Sequence, residues 1–75
     1  MICIQYERQF YILGQKIAFY RKLKHLSQVQ LAERVGISAS YLSKIERADL
    51  ESMSLGTLMQ LTEALEVSLY QFFKD

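Results

Sequence analysis

The sequence contains no proline, a single cysteine and three glycines. With Cys3 as its one thiol, no disulfide can close within the chain. That absence fits a reducing compartment, so the cytoplasm is the expected location. A chain of 75 residues has room for one domain. At this size only roughly 60% of the unfolded surface is buried, so pairing with a second copy is an expected source of stability. No apolar run approaches the roughly 20 residues of a membrane span. The opening Met1-Ile2-Cys3-Ile4-Gln5-Tyr6-Glu7 lacks the basic start and long apolar stretch of a secretory signal. There is one histidine, no metal-ligand spacing, no Ser/His/Asp constellation and no glycine loop to cradle a phosphate. These absences argue against an enzyme, a metal site, a cofactor or a small-molecule ligand.

What is present is apolar residue at helical spacing. Hydrophobic residues make up 51% of the chain, which argues against disorder. The net charge is only +1, but it is unevenly spread. Residues 1–47 hold eight Lys/Arg against three acids, whereas residues 48–75 hold one lysine against five acids. One end of the chain is basic and the other acidic.

The pattern predicts five helices and no strand core. The first spans about Gln9 to Lys24, with Leu13, Ile17 and Tyr20 as its apolar stripe. His25 stands where a left-handed residue ends a helix. Ser27 opens a second helix, with Gln30 completing a capping box. Leu31, Ala32 and Val35 form its inner face, and Gly36 ends it. Ser38 caps a third helix that runs to about Arg47, with Leu42 and Ile45 inward. Ala48–Met53 reads as a loop. Ser54 caps a fourth helix carrying Leu55, Leu58, Leu61, Thr62 and Leu65. Ser68, with Gln71, caps a fifth.

The segment from Ser27 to Arg47 carries the functional signal. Two short helices are joined by Val35-Gly36-Ile37-Ser38, a corner tight enough to force a steep crossing. The small Ala32 lets the two backbones approach. The third helix then stands out as a ridge about 10–12 Å across, which fits a major groove about 12 Å wide. Its outward residues are small and polar with two cations. Ala39, Ser40 and Lys44 suit base edges, Lys44 being the best candidate for guanine O6/N7. Gln28, Ser38, Tyr41, Ser43 and Arg47 suit phosphates, as do the free N–H groups opening helices two and three.

The runs Leu13-Gly14-Gln15-Lys16-Ile17, Tyr20-Arg21, Leu26-Ser27-Gln28, Leu31-Ala32, Val35-Gly36-Ile37-Ser38 and Tyr41-Leu42-Ser43-Lys44-Ile45-Glu46 resemble the phage repressor/Cro-type family. This is also called the xenobiotic-response-element helix-turn-helix family. The resemblance covers about residues 13–73. It implies an all-α, five-helix lambda-repressor-like domain over residues 13–75, with residues 1–12 as an N-terminal extension that either lengthens the first helix or makes a dimer contact. It implies a homodimeric transcriptional regulator on a near-palindromic double-stranded operator, with Ala39, Ser40 and Lys44 facing bases and Gln28 on a phosphate. It also implies an internal salt bridge between Arg21 and Glu46. The sequence departs from the family at His25 and Ala48, where glycine is usual, and in Met1–Ile12.

Several positions carry two readings. Leu69, Tyr70, Phe72 and Phe73 crowd one short helix, and a two-fold interface there is favoured over an all-intramolecular core. Tyr41 packs on helix two or touches DNA. Phe10, Tyr11 and Phe19 read as core or dimer contacts, and Cys3 as an inert hydrophobe. Ile2–Tyr6 reads as a helical extension, a short strand or a frayed end. Among small members the layout looks most like a restriction–modification controller or a phage-type regulator. The alternative from another class is an antitoxin or other module whose main partner is a protein.

Overall fold

A computed structural model describes residues 7–49 and 53–74. All the regular structure among them is helical: α1 Glu7–Leu23, α2 Gln28–Val35, α3 Ala39–Glu46, α4 Leu55–Leu65 and α5 Leu69–Phe73. The expectations for Cys3, the Ile2–Tyr6 segment and residues 50–52 of the loop fall outside the described residues. The join expected at residues 12/13 lies inside α1, which runs unbroken from Glu7.

The helix starts follow from local chemistry. Ser27, Ser38, Ser54 and Ser68 are extended N-caps, and each side chain accepts the backbone N–H three residues on. This satisfies one of the orphan donors at each helix start. At Ser27 the box is complete, because its own N–H donates to Gln30 Oε1 at 2.8 Å. The helix ends are less economical. Gly36 closes α2 at φ 77°, but His25, Ala48 and Glu66 take the left-handed conformation at φ near 60° without being glycine. Such a residue costs about 1–2 kcal/mol. In return, the Leu26 N–H reaches the Arg21 carbonyl and the Asp49 N–H that of Lys44, so helix-end carbonyls gain partners.

The core is a single cluster of Leu13, Ile17, Leu26, Leu31, Ala32, Val35, Leu42, Ile45, Leu58, Leu61, Leu65 and Phe72. α1 forms its spine and contacts α3, α4 and α5, while α2 packs on α3 and α4. One site expectation is corrected here. Phe72, assigned to a dimer surface, is 2% exposed. Its ring meets Tyr20 edge-on, with centroids 5.7 Å apart. A five-residue helix can attach to the body only by burying its largest inward side chain, and Phe72 fills that role. Leu69, Tyr70 and Phe73 remain exposed.

Two polar ties hold the ends of the fold together. The Lys16 ammonium donates to the carbonyls of Gln71, Phe72 and Lys74, capping the C-terminus of α5 where the helix dipole favours a cation. Lys24 pairs with Glu66, and its ammonium lowers the pKa of that carboxyl.

Candidate nucleic-acid interface

α3 divides cleanly into two faces. Leu42 and Ile45 are buried, at 0% and 3% exposure. Ser38, Ser40, Lys44 and Arg47 are exposed, and Ala39, Tyr41 and Ser43 are half-buried. The exposed set forms a ridge of small hydroxyl side chains with a cation one turn along. Ala39 and Tyr41 pack partly against the core, which fixes the N-terminal turn of the ridge from beneath. Ser38 spends its hydroxyl on the Tyr41 N–H at 3.0 Å. Arg47 pairs only loosely with Asp49, at 3.6 Å between two exposed side chains. A pair of that kind is worth little, so the guanidinium is readily released to another anion.

The corner that presents this ridge is built as the sequence predicts. Gly36 supplies the positive φ, and the Ile37 N–H returns to the Ala32 carbonyl at 3.0 Å. Ile37 packs against the core behind it.

The far end of α3 is clamped. Arg21 Nε donates to Glu46 Oε2 at 2.8 Å and Arg21 Nη2 to Glu46 Oε1 at 3.1 Å. Arg21 Nη1 donates to the Leu26 carbonyl at 2.9 Å. The two side chains are only 11% and 6% exposed. The bidentate geometry suits a buried pair, because the fork satisfies both carboxylate oxygens. Gln28, on the first turn of α2, adds a third donor: its Nε2 lies 2.9 Å from Glu46 Oε1. The bridge therefore joins α1, α2 and α3.

Sequence reasoning gave Gly14 no structural role. A Cβ placed there would sit 2.5 Å from the Ile45 carbonyl oxygen and 2.7 Å from that of Glu46. The C-terminal turn of α3 thus lies directly on the backbone of α1. A glycine mid-helix with no capping function was the available signal.

Among the described residues no group of three or more His, Cys, Asp or Glu is placed to hold a metal. No described helix is long and apolar enough to cross a membrane.

This arrangement of helices has known counterparts. A family model described as Helix-turn-helix matches residues 17–72. The chain belongs to the helix-turn-helix family, of the xenobiotic-response-element type. It is 41% identical over 64 residues to the HTH-type transcriptional regulator SinR of Bacillus subtilis, covering 85% of this chain and 58% of SinR. The chain thus spans little more than half the length of that relative. A crystal structure of SinR, the master regulator for biofilm formation, in complex with DNA superposes with a TM-score of 0.77 at 39% identity, covering 83% of this chain and 98% of that one. The restriction-modification controller protein C.AhdI of Aeromonas hydrophila superposes with a TM-score of 0.80 at 31% identity, covering 85% of this chain and 96% of that one. Among the described residues, the five-helix helix-turn-helix fold expected from the sequence is the fold observed.

Proposed function

We propose that this helix-turn-helix chain is a sequence-specific DNA-binding transcriptional regulator that acts without catalysis, in the cytoplasm. The observation that carries the reading is the split of α3, with its apolar face locked into the core and Ser40, Lys44 and Arg47 turned to solvent. The likeness to a SinR structure in complex with DNA supports it. In this reading α3 enters the major groove. Ser40 and Lys44 meet base edges with Ala39 beside them. Gln28, Ser38, Tyr41, Ser43 and Arg47 line the phosphates. A homodimer would place two such helices in successive grooves, roughly 34 Å apart on a near-palindromic operator. No small-molecule effector or cofactor enters the scheme. The subclass is a controller-type or phage-type regulator.

Lys44→Ala is expected to lower specific affinity by about 1–3 kcal/mol and to relax discrimination at one base position. Quantitative gel shifts on the chain's own promoter, with each base varied in turn, measure both. Unchanged affinity would remove Lys44 from the interface and favour a module whose partner is a protein.

The dimer contact belongs to the outer face of α5. Tyr70 and Phe73 are 71% and 62% exposed, and Leu69 borders them. Tyr70→Asp combined with Phe73→Asp is expected to give monomers by sedimentation equilibrium and weaker operator binding, with the helical circular dichroism retained. A dimeric mass in the double variant would place the two-fold contact elsewhere.

A further inference from the structure

The clamp at the end of α3 has a component that holding helices together does not require. Glu46 would be fully served by the Arg21 fork, yet Gln28 Nε2 also points at its Oε1. An ionised carboxylate can only accept hydrogen bonds, so the NH2 of the Gln28 amide, and not its oxygen, faces Glu46. A primary amide has two N–H donors, and this contact uses one. A freely rotating glutamine would present its oxygen to a phosphate as often as its nitrogen, and the oxygen would repel it.

We propose that Glu46 is a positioning residue for Gln28: the Arg21–Glu46 pair fixes the amide so that its second N–H is held ready for a backbone phosphate at the start of α2. This rests on the DNA-binding reading above. Arg21 has a second role in this scheme. It neutralises Glu46, so a carboxylate can stand beside the nucleic acid without repelling it. Gln28 is half-buried, and its backbone lies on the first turn of α2, so both ends of the side chain are fixed.

The test uses a DNA duplex that the wild-type protein selects from a random-sequence pool. Binding is followed by fluorescence anisotropy over a range of salt, at a temperature where circular dichroism shows each variant folded. Gln28→Ala leaves the ion pair intact and is expected to weaken binding about tenfold, the worth of one hydrogen bond to a charged group. The slope of log K against log salt should stay unchanged, because a neutral donor neutralises no phosphate. Arg21→Met with Glu46→Met replaces the pair by apolar side chains at constant net charge, an exchange that folds tolerate. It is expected to weaken binding by the same factor. Added to Gln28→Ala it should weaken binding no further. Losses that multiply, or undiminished affinity in either background, overturn the proposal.

A measurement on the wild-type protein needs no variant. In its NMR spectrum one Gln28 side-chain amide proton should be displaced from the position of a free glutamine amide by its hydrogen bond to Glu46, and the other should shift when DNA is added. Both protons at free-glutamine positions, with neither responding to DNA, overturn the assignment. Wild-type protein that selects no duplex overturns the DNA-binding reading itself. Selection that survives Gln28→Ala but fails on Lys44→Ala overturns the positioning role alone.

Discussion

Arg21→Ala is expected to cost about 3–5 kcal/mol of folding stability, the effect of stripping one partner from a buried ion pair. A domain of this length has roughly 4–11 kcal/mol in total, so the loss removes a large share of it. The loss has three parts. Glu46, only 6% exposed at its side chain, is left with Gln28 as its remaining donor. The Leu26 carbonyl loses the Nη1 donor that satisfies it. A void opens where α1 meets α3. Urea denaturation monitored by circular dichroism gives the change directly. A midpoint within error of wild type would show that the pair adds nothing beyond what water provides. Arg21→Lys is expected to fall between the two, because an ammonium keeps the charge but not the fork.

The second large effect is expected at Gly14. In an exposed helix, exchanging glycine for alanine stabilises by about 1 kcal/mol. At Gly14 the sign should reverse, with a net loss of about 2 kcal/mol, because the new methyl meets the Ile45 and Glu46 carbonyls at 2.5 and 2.7 Å. Both obstacles are backbone, so relief requires α3 itself to move off α1. On the DNA-binding reading proposed above, operator affinity should therefore fall even in the folded fraction. Gly56→Ala is the internal control. Its nearest neighbour is the Ser54 hydroxyl at 3.9 Å, and it should gain the ordinary helix-propensity benefit. Thermal melts of the two variants should move in opposite directions. If both rise, the close approach of α1 and α3 is wrong.

Much of this molecule can be read from its sequence because the informative chemistry is local. A serine followed by a free N–H three residues on forms a cap wherever it stands, and all four were placed from sequence alone. Gly36 and His25 announce their left-handed turns by residue type. The inward pair Leu42 and Ile45 follows from helical spacing, and with it the exposure of Ser40 and Lys44. The features that escaped depend on partners far along the chain. Lys16 caps α5 across more than fifty residues, and Lys24 finds Glu66 across 42. Glu66 adopts a left-handed turn that its residue type does not favour, because the loop after α4 has to return the chain toward α1. Phe72 looked no different from Tyr70 and Phe73. Only the docking of α5 beside Tyr20 decides which of the three turns inward. The link from Gln28 to Glu46 also escaped, since each residue had been given a separate task.

The two faces of α3 have an evolutionary consequence. The side that anchors it consists of Leu42, Ile45 and a backbone seat on Gly14, while Ser40 and Lys44 contribute nothing to that anchorage. The ridge therefore behaves as a cassette whose outward letters can be rewritten while the socket stays the same. On the DNA-binding reading proposed above, a lineage built on this scaffold could change its genomic address by two or three surface substitutions, with folding almost untouched.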